Sequence, residues 1–86
     1  MNKSELRDIL IKENFKPSAY SLDQQLVDEA LCLRCNDNGW FVFYSERGQQ
    51  VGKEYFDDES SACVFFLEEM RSDPTTKVDW ISGYSM

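Results

Sequence analysis

The sequence predicts an α+β fold, a three- or four-stranded antiparallel sheet (meander) packed with an N-terminal and a C-terminal helix. Three observations predict it. Residues 30–56 hold three runs of β-branched and aromatic side chains separated by turn residues. Residues 2–14 place apolar side chains at helical spacing ahead of those runs. Residues 58–72 do the same behind them. No repeat or low-complexity tract breaks the order, so the chain, 1–86, reads as one domain.

In the first helical segment Leu6, Ile9, Leu10 and Glu13 follow helical spacing, with the apolar members on one face. Asn2 with Glu5 three residues later fits a capping box, and Lys12 suits the negative end of the helix dipole. Lys16-Pro17-Ser18 stops the helix, because proline restricts the residue before it. From 18 to 28 the signals are mixed: Tyr20-Ser21-Leu22-Asp23 fits either a short helix or an ordered loop.

Strands are expected at 30–35, 40–45 and 51–56. The first turn, Asn36-Asp37-Asn38-Gly39, ends in an Asn-Gly pair that tolerates positive φ, and the second is Glu46-Arg47-Gly48-Gln49. An even-length first loop puts Leu31, Leu33, Trp40, Val42 and Tyr44 on one face. Ala30, Cys32, Arg34, Phe41, Phe43 and Ser45 then fall on the other. Gly52 marks a candidate bulge in the third run.

In the second helical segment Asp57, Asp58 and Glu59 crowd the N-terminus, where carboxylates satisfy free amides. Ala62, Cys63, Phe66, Leu67 and Met70 form its apolar stripe, while Glu68, Glu69 and Arg71 face water. Asp73-Pro74 ends it. The tail at 77–81 has strand character and is expected to add an edge strand or to lie across the core.

Charge narrows the function. Nine Lys and Arg stand against sixteen Asp and Glu, a formal charge of −7. Phosphate binding draws on Lys and Arg, so direct nucleic-acid and anionic-membrane binding are disfavoured. A chain this acidic is steered toward a basic protein instead, unless the charge serves solubility alone. No apolar run approaches the ~20 residues that span a bilayer. The start, Met1-Asn2-Lys3-Ser4-Glu5, lacks the apolar stretch of a signal peptide. Three cysteines, an odd number, fit no disulfide framework, so a reducing, cytoplasmic location is expected.

Catalytic chemistry finds little footing. The chain has no histidine, which removes imidazole bases, triads and metal ligation together. Its four glycines are scattered rather than gathered into a phosphate loop. Carboxylate pairs at Asp57-Asp58-Glu59 and Glu68-Glu69 read as helix capping and a solvated face. Cys32-Leu33-Arg34-Cys35 has C-x-x-C spacing, but on a strand residues three apart point to opposite faces. A metal site would also want further ligands, and Cys63 is the one remaining thiol. The expectation is a non-enzyme without metal or cofactor. Trp40-Phe41-Val42-Phe43-Tyr44 is apolar on both faces, so either helices cover both sides of the sheet or Phe41 and Phe43 form an exposed patch.

The runs Ala19-Tyr20-Ser21-Leu22-Asp23, Asp28-Glu29-Ala30-Leu31-Cys32-Leu33 and Tyr44-Ser45-Glu46-Arg47-Gly48 form part of a larger pattern. It continues through Phe56-Asp57-Asp58-Glu59-Ser60-Ser61-Ala62-Cys63, Phe65-Phe66-Leu67 and Asp73-Pro74-Thr75-Thr76. Over 19–76 this resembles a family of small bacterial immunity proteins of polymorphic-toxin and contact-dependent growth inhibition systems. Tyr44-Ser45-Glu46-Arg47-Gly48 is its most specific piece; Asp23-Gln24-Gln25 departs from it, since the pattern has glycines after the aspartate. The resemblance implies a protein that binds the C-terminal domain of a cognate toxin, often a nuclease such as a tRNase, and blocks its active site. A nuclease surface is basic, so an acidic inhibitor matches it. No catalytic residue is implied.

Candidate partner contacts are Asp23, Tyr44, Glu46, Arg47, Glu54, Asp57 and Asp58, with aromatics anchoring and carboxylates meeting the toxin's Lys and Arg. The alternative is a nucleic-acid mimic or regulatory adaptor that binds a basic protein. A small redox enzyme built on Cys32 and Cys35 is the third class.

Overall fold

Asn2 opens the first helix, α1 (Lys3–Lys12), through the expected capping box in the computed structural model, which describes residues 1–22, 28–73 and 76–77. The Asn2 side chain accepts from the Glu5 N–H at 2.9 Å, and the Glu5 carboxylate accepts from the Asn2 N–H at 3.0 Å. The helix ends before the proline. Asn14 takes a left-handed conformation at φ 68, the Phe15 N–H donates to the Leu10 carbonyl, and the Asn14 N–H donates to Ile11. These two bonds satisfy carbonyls of the last turn and fold the buried Phe15 back over the core. Proline instead starts a short 3-10 turn, Pro17–Ala19.

The segment left undecided by the sequence supplies β1 (Tyr20–Ser21). The meander follows as β2 (Ala30–Asn36), β3 (Gly39–Glu46) and β4 (Gln49–Phe56). Strand order is β1-β2-β3-β4. The sheet is not wholly antiparallel: β1 pairs parallel to β2, with Tyr20 against Leu31 and Ser21 against Cys32. Arg34 fixes that short strand, its guanidinium donating to the Ser21 carbonyl at 3.2 Å and the Ser21 hydroxyl at 3.0 Å. The fourth strand therefore comes from ahead of the meander. From the tail, Lys77 forms a single antiparallel bridge with Phe15, and 78–81 lie outside the described residues.

Register follows the expected alternation, with Leu33 opposite Val42, Leu31 opposite Tyr44 and Cys35 opposite Trp40. The first turn differs in detail. Its positive φ sits on Gly39, at 134°, and not on Asn38. A Cβ at Gly39 would lie 2.7 Å from the Phe56 carbonyl oxygen, so backbone contact as well as backbone angle demands glycine. The second turn is a two-residue reversal with Arg47 at φ 52 and Gly48 at φ 79, the pattern that matches strand twist. The expected bulge is present: pairing between β3 and β4 shifts between Val42 and Tyr44, where Gly52 stands at φ 64.

Helix α2 (Glu59–Arg71) starts on Asp58, whose carboxylate accepts from the Ser61 N–H at 2.7 Å. Its stripe of Ala62, Cys63, Phe66, Leu67 and Met70 is buried, as the spacing predicts. These side chains join Leu6, Leu10, Phe15, Leu22, Leu33 and Val42 in one core. The Lys3 N–H donates to Glu59 at 2.7 Å, and Arg71 Nε donates to Glu13 at 3.0 Å. Starts meet starts and ends meet ends, so the two helices run in the same direction over one face of the sheet.

Among the described residues, helices do not cover both sides. Ala30, Cys32 and Phe43 are buried on the opposite face, outside that core. Phe41 stacks on Phe43 at 5.8 Å and meets Tyr55 at 5.7 Å. Arg34 lies 5.9 Å from the centroid of the Phe43 ring, and Lys53 lies 4.8 Å from that of Phe41. Strand β3 is apolar on both faces because one meets helices and the other carries this ladder of rings and cations.

Candidate functional site: an acidic groove at Tyr44

Tyr44 stands near the end of β3 on the helix side of the sheet, beside the last turn of α2. Leu31, Ala19 and Met70 floor a groove of about 470 Å³ there. Lys16, Glu29, Glu69, Asp73 and Tyr44 supply its charged and polar lining. Three local devices shape it. Glu29 takes a left-handed turn at φ 59, and its N–H donates to the Ser45 carbonyl at 2.6 Å. The Gly48 N–H donates to the Asp28 carboxylate at 3.0 Å, which ties the hairpin tip to the start of β2. The Thr76 N–H donates to the Asp73 carbonyl at 3.2 Å, and the Lys16 N–H to the Thr76 carbonyl at 2.7 Å, closing the far wall.

The electrostatics are one-signed around the phenol. Burial against the groove, then the negative fields of Glu29, Glu46 and Asp73, push the Tyr44 hydroxyl above its ordinary range, and a hydrogen bond to Glu29 adds to this. Tyr44 is nevertheless 37% exposed, so its ring edge remains within a partner's reach. A half-exposed tyrosine ringed by carboxylates suits a cationic side chain, which can meet the ring face and the acids together. Among the described residues no group of three or more acidic or thiol side chains is placed to hold a metal ion.

The seven sequence-predicted contacts do not form one cluster. Tyr44, Glu46 and Arg47 share the hairpin end, and Glu54 lies mid-strand on the edge of the sheet, opposite Val42. Asp57 and Asp58 follow β4 at the other end, beyond Phe56, which pairs with Trp40. Four strand residues, about 13 Å, separate Trp40 from Tyr44. The Asp58 carboxylate is engaged in capping α2, and the Ser61 hydrogen bonds hold it below the usual carboxylate range. Asp23 lies outside the described residues. Glu29, Glu69, Asp73 and Lys16 were missed because the groove gathers segments distant in sequence, and nothing in any one of them marks it.

The three thiols are free, Cys32 and Cys63 buried and Cys35 exposed. Burial pushes the Cys63 thiol up to about 11 and raises Cys32 as well, opposite to what thiolate chemistry needs. No helix among the described residues is long and apolar enough to cross a membrane. No protein-family description, curated protein or solved structure matches the chain. The class defined here is an α+β domain, a mixed four-stranded sheet with two helices on one face.

Proposed function

We propose that this chain is an immunity-type inhibitor, a non-enzymatic binder that neutralises a basic toxin domain by covering its active site or substrate surface. The observation that carries the reading is the ring of carboxylates, Glu29, Glu46 and Asp73, whose fields converge on the half-exposed Tyr44 at the rim of a groove. A Lys or Arg of the toxin enters that groove, while the net charge of −7 steers the encounter. The same electrostatic match serves a nuclease whose own surface is built for a polyanion. Support also comes from the resemblance of residues 19–76 to immunity proteins, whose most specific piece, Tyr44 to Gly48, forms one wall of this end of the sheet.

The test is co-purification of the chain's partner from its native host, followed by co-expression of the two in a growth assay. Growth is expected to be restored by the wild type and lost again with Glu29→Lys plus Glu46→Lys. In calorimetry the double variant is expected to bind at least about ten-fold more weakly at low salt, with the gap narrowing as salt rises. Protection that survives the double charge reversal overturns the groove assignment. Failure of the wild type to bind or protect overturns the function.

A further inference from the structure

The C-terminal ends of α1 and α2 lie side by side, so carbonyls left free by both helices gather at one corner, where cations are favoured. Arg71 is taken up by the Glu13 carboxylate. A second cation comes from beyond α2. Lys77 Nζ donates at 2.7 Å to the carbonyl of Glu13, the residue that caps α1. The same ammonium stands 4.4 Å from the centroid of the buried Phe15 ring. One side chain thus holds the end of a helix 64 residues away in sequence.

The backbone follows the ammonium. Lys77 bridges Phe15, and the Lys16 N–H donates to the Thr76 carbonyl at 2.7 Å. Thr76 in turn holds Asp73, whose carbonyl accepts from the Thr76 N–H at 3.2 Å and from its hydroxyl at 2.8 Å. Lys16, Thr76 and Asp73 all line the Tyr44 groove, whereas Lys77 stands behind that wall. Neither Thr76 nor Lys77 belongs to the core, and both are half-buried. Among the described residues they are held by hydrogen bonds and a ring contact, not by apolar burial. A segment held this way opens at a lower free energy than the core does.

We infer that Lys77 is a positioning residue for the Tyr44 groove, and that 76–77 form a strap whose release from the end of α1 opens the groove's far wall without unfolding the core. Met70, on the groove floor, is 2% exposed while the strap is in place. Release gives solvent or an entering side chain a path to it. This opening belongs to the groove itself and holds whatever ligand enters.

Amide hydrogen exchange on wild type, Lys77→Met, Lys77→Arg and Lys12→Met tests this on the chain alone. Lys77→Met keeps an apolar stem against Phe15 and removes the charge and the donor. It is expected to speed exchange at the Lys16 and Thr76 amides by about ten-fold or more, with β2 and β3 amides unchanged. Lys77→Arg is expected to restore both amides to within about three-fold of wild type. Lys12→Met, which removes a charge from the last turn of α1, is expected to match wild type. A second readout follows the groove: relaxation of the Met70 methyl by a neutral gadolinium chelate is expected to rise about two-fold in Lys77→Met. Wild-type exchange in Lys77→Met, acceleration shared by every strand amide, an equal effect in Lys12→Met, or an unmoved Met70 methyl each overturns the inference.

Discussion

Arg47 and Gly39 show how single backbone angles carry the hairpins. Arg47 holds φ 52, where a side chain with Cβ is strained, so Arg47→Asn is expected to stabilise by roughly 0.5–1 kcal/mol, read as a higher urea midpoint at unchanged slope. Gly39→Ala meets both a forbidden angle and the Phe56 carbonyl at 2.7 Å, and is expected to cost roughly 1–3 kcal/mol in the same measurement. The thiols form a third residue-scale case. One of the three, Cys35, is expected to react quickly with Ellman's reagent, and Cys32 and Cys63 only on unfolding. Cys63 also ties stability to alkaline pH. Its pKa is raised in the folded state, to about 11, so its contribution is whole below the ordinary thiol value and fades as pH climbs through 11. Arg34, on β2, was readable as a charge only; that it binds Ser21 and lies over Phe43 required the neighbouring strands in place.

At the scale of elements, α2 is the part on which the others depend. It packs on β2, β3 and β4 and on α1, and Phe66, fully buried, sits in the core they share. Phe66→Ala is expected to cost about 3–5 kcal/mol, a large share of the stability of a domain this small, and to appear as loss of the cooperative thermal transition. Asn2→Ala, which opens the capping box of α1, is expected to cost about 0.5–2 kcal/mol and to lower the Tm without altering the strands. Capping signals were legible at both helix starts because they are local, a side chain and an amide three residues apart. The stop of α1 was read from Pro17, but Asn14 performs it three residues earlier through a left-handed cap. Strand β1 was not legible. Two residues carry no periodicity, and its pairing with β2 depends on Arg34 from another element.

For the whole molecule, the two helices are stapled at both ends, and the Glu13–Arg71 pair is the staple at their C-terminal ends. Its hydrogen bond to Arg71 holds the Glu13 carboxyl below its ordinary value, and Arg71 is raised in turn. The pair's contribution is therefore present above the usual carboxylate range and is lost as pH falls through the lowered folded value. Glu13→Gln is expected to flatten the acid limb of the stability profile in urea titrations between neutral pH and about pH 3. Screening at this partly exposed site keeps the effect small, and added salt is expected to shrink it further. The net charge acts at the same scale. In the binder reading proposed above, it steers a basic partner toward the chain, and the groove at Tyr44 is where that partner lands.

The chain's letters by themselves determined the class of fold, both helices, the three-strand meander, the facing of its first two strands and the candidate bulge at Gly52. Each of these rests on a period, a cap or a turn within a few residues. Tertiary structure decided what joins across distance. It set the parallel β1, placed both helices on one side, and drew Glu29, Glu46 and Asp73 around Tyr44. It also divided the predicted contacts between two ends of the sheet. The physical reason is range: alternation and capping are settled between near neighbours, whereas a groove exists only where separate segments, each unremarkable alone, are brought together by burial of a common core.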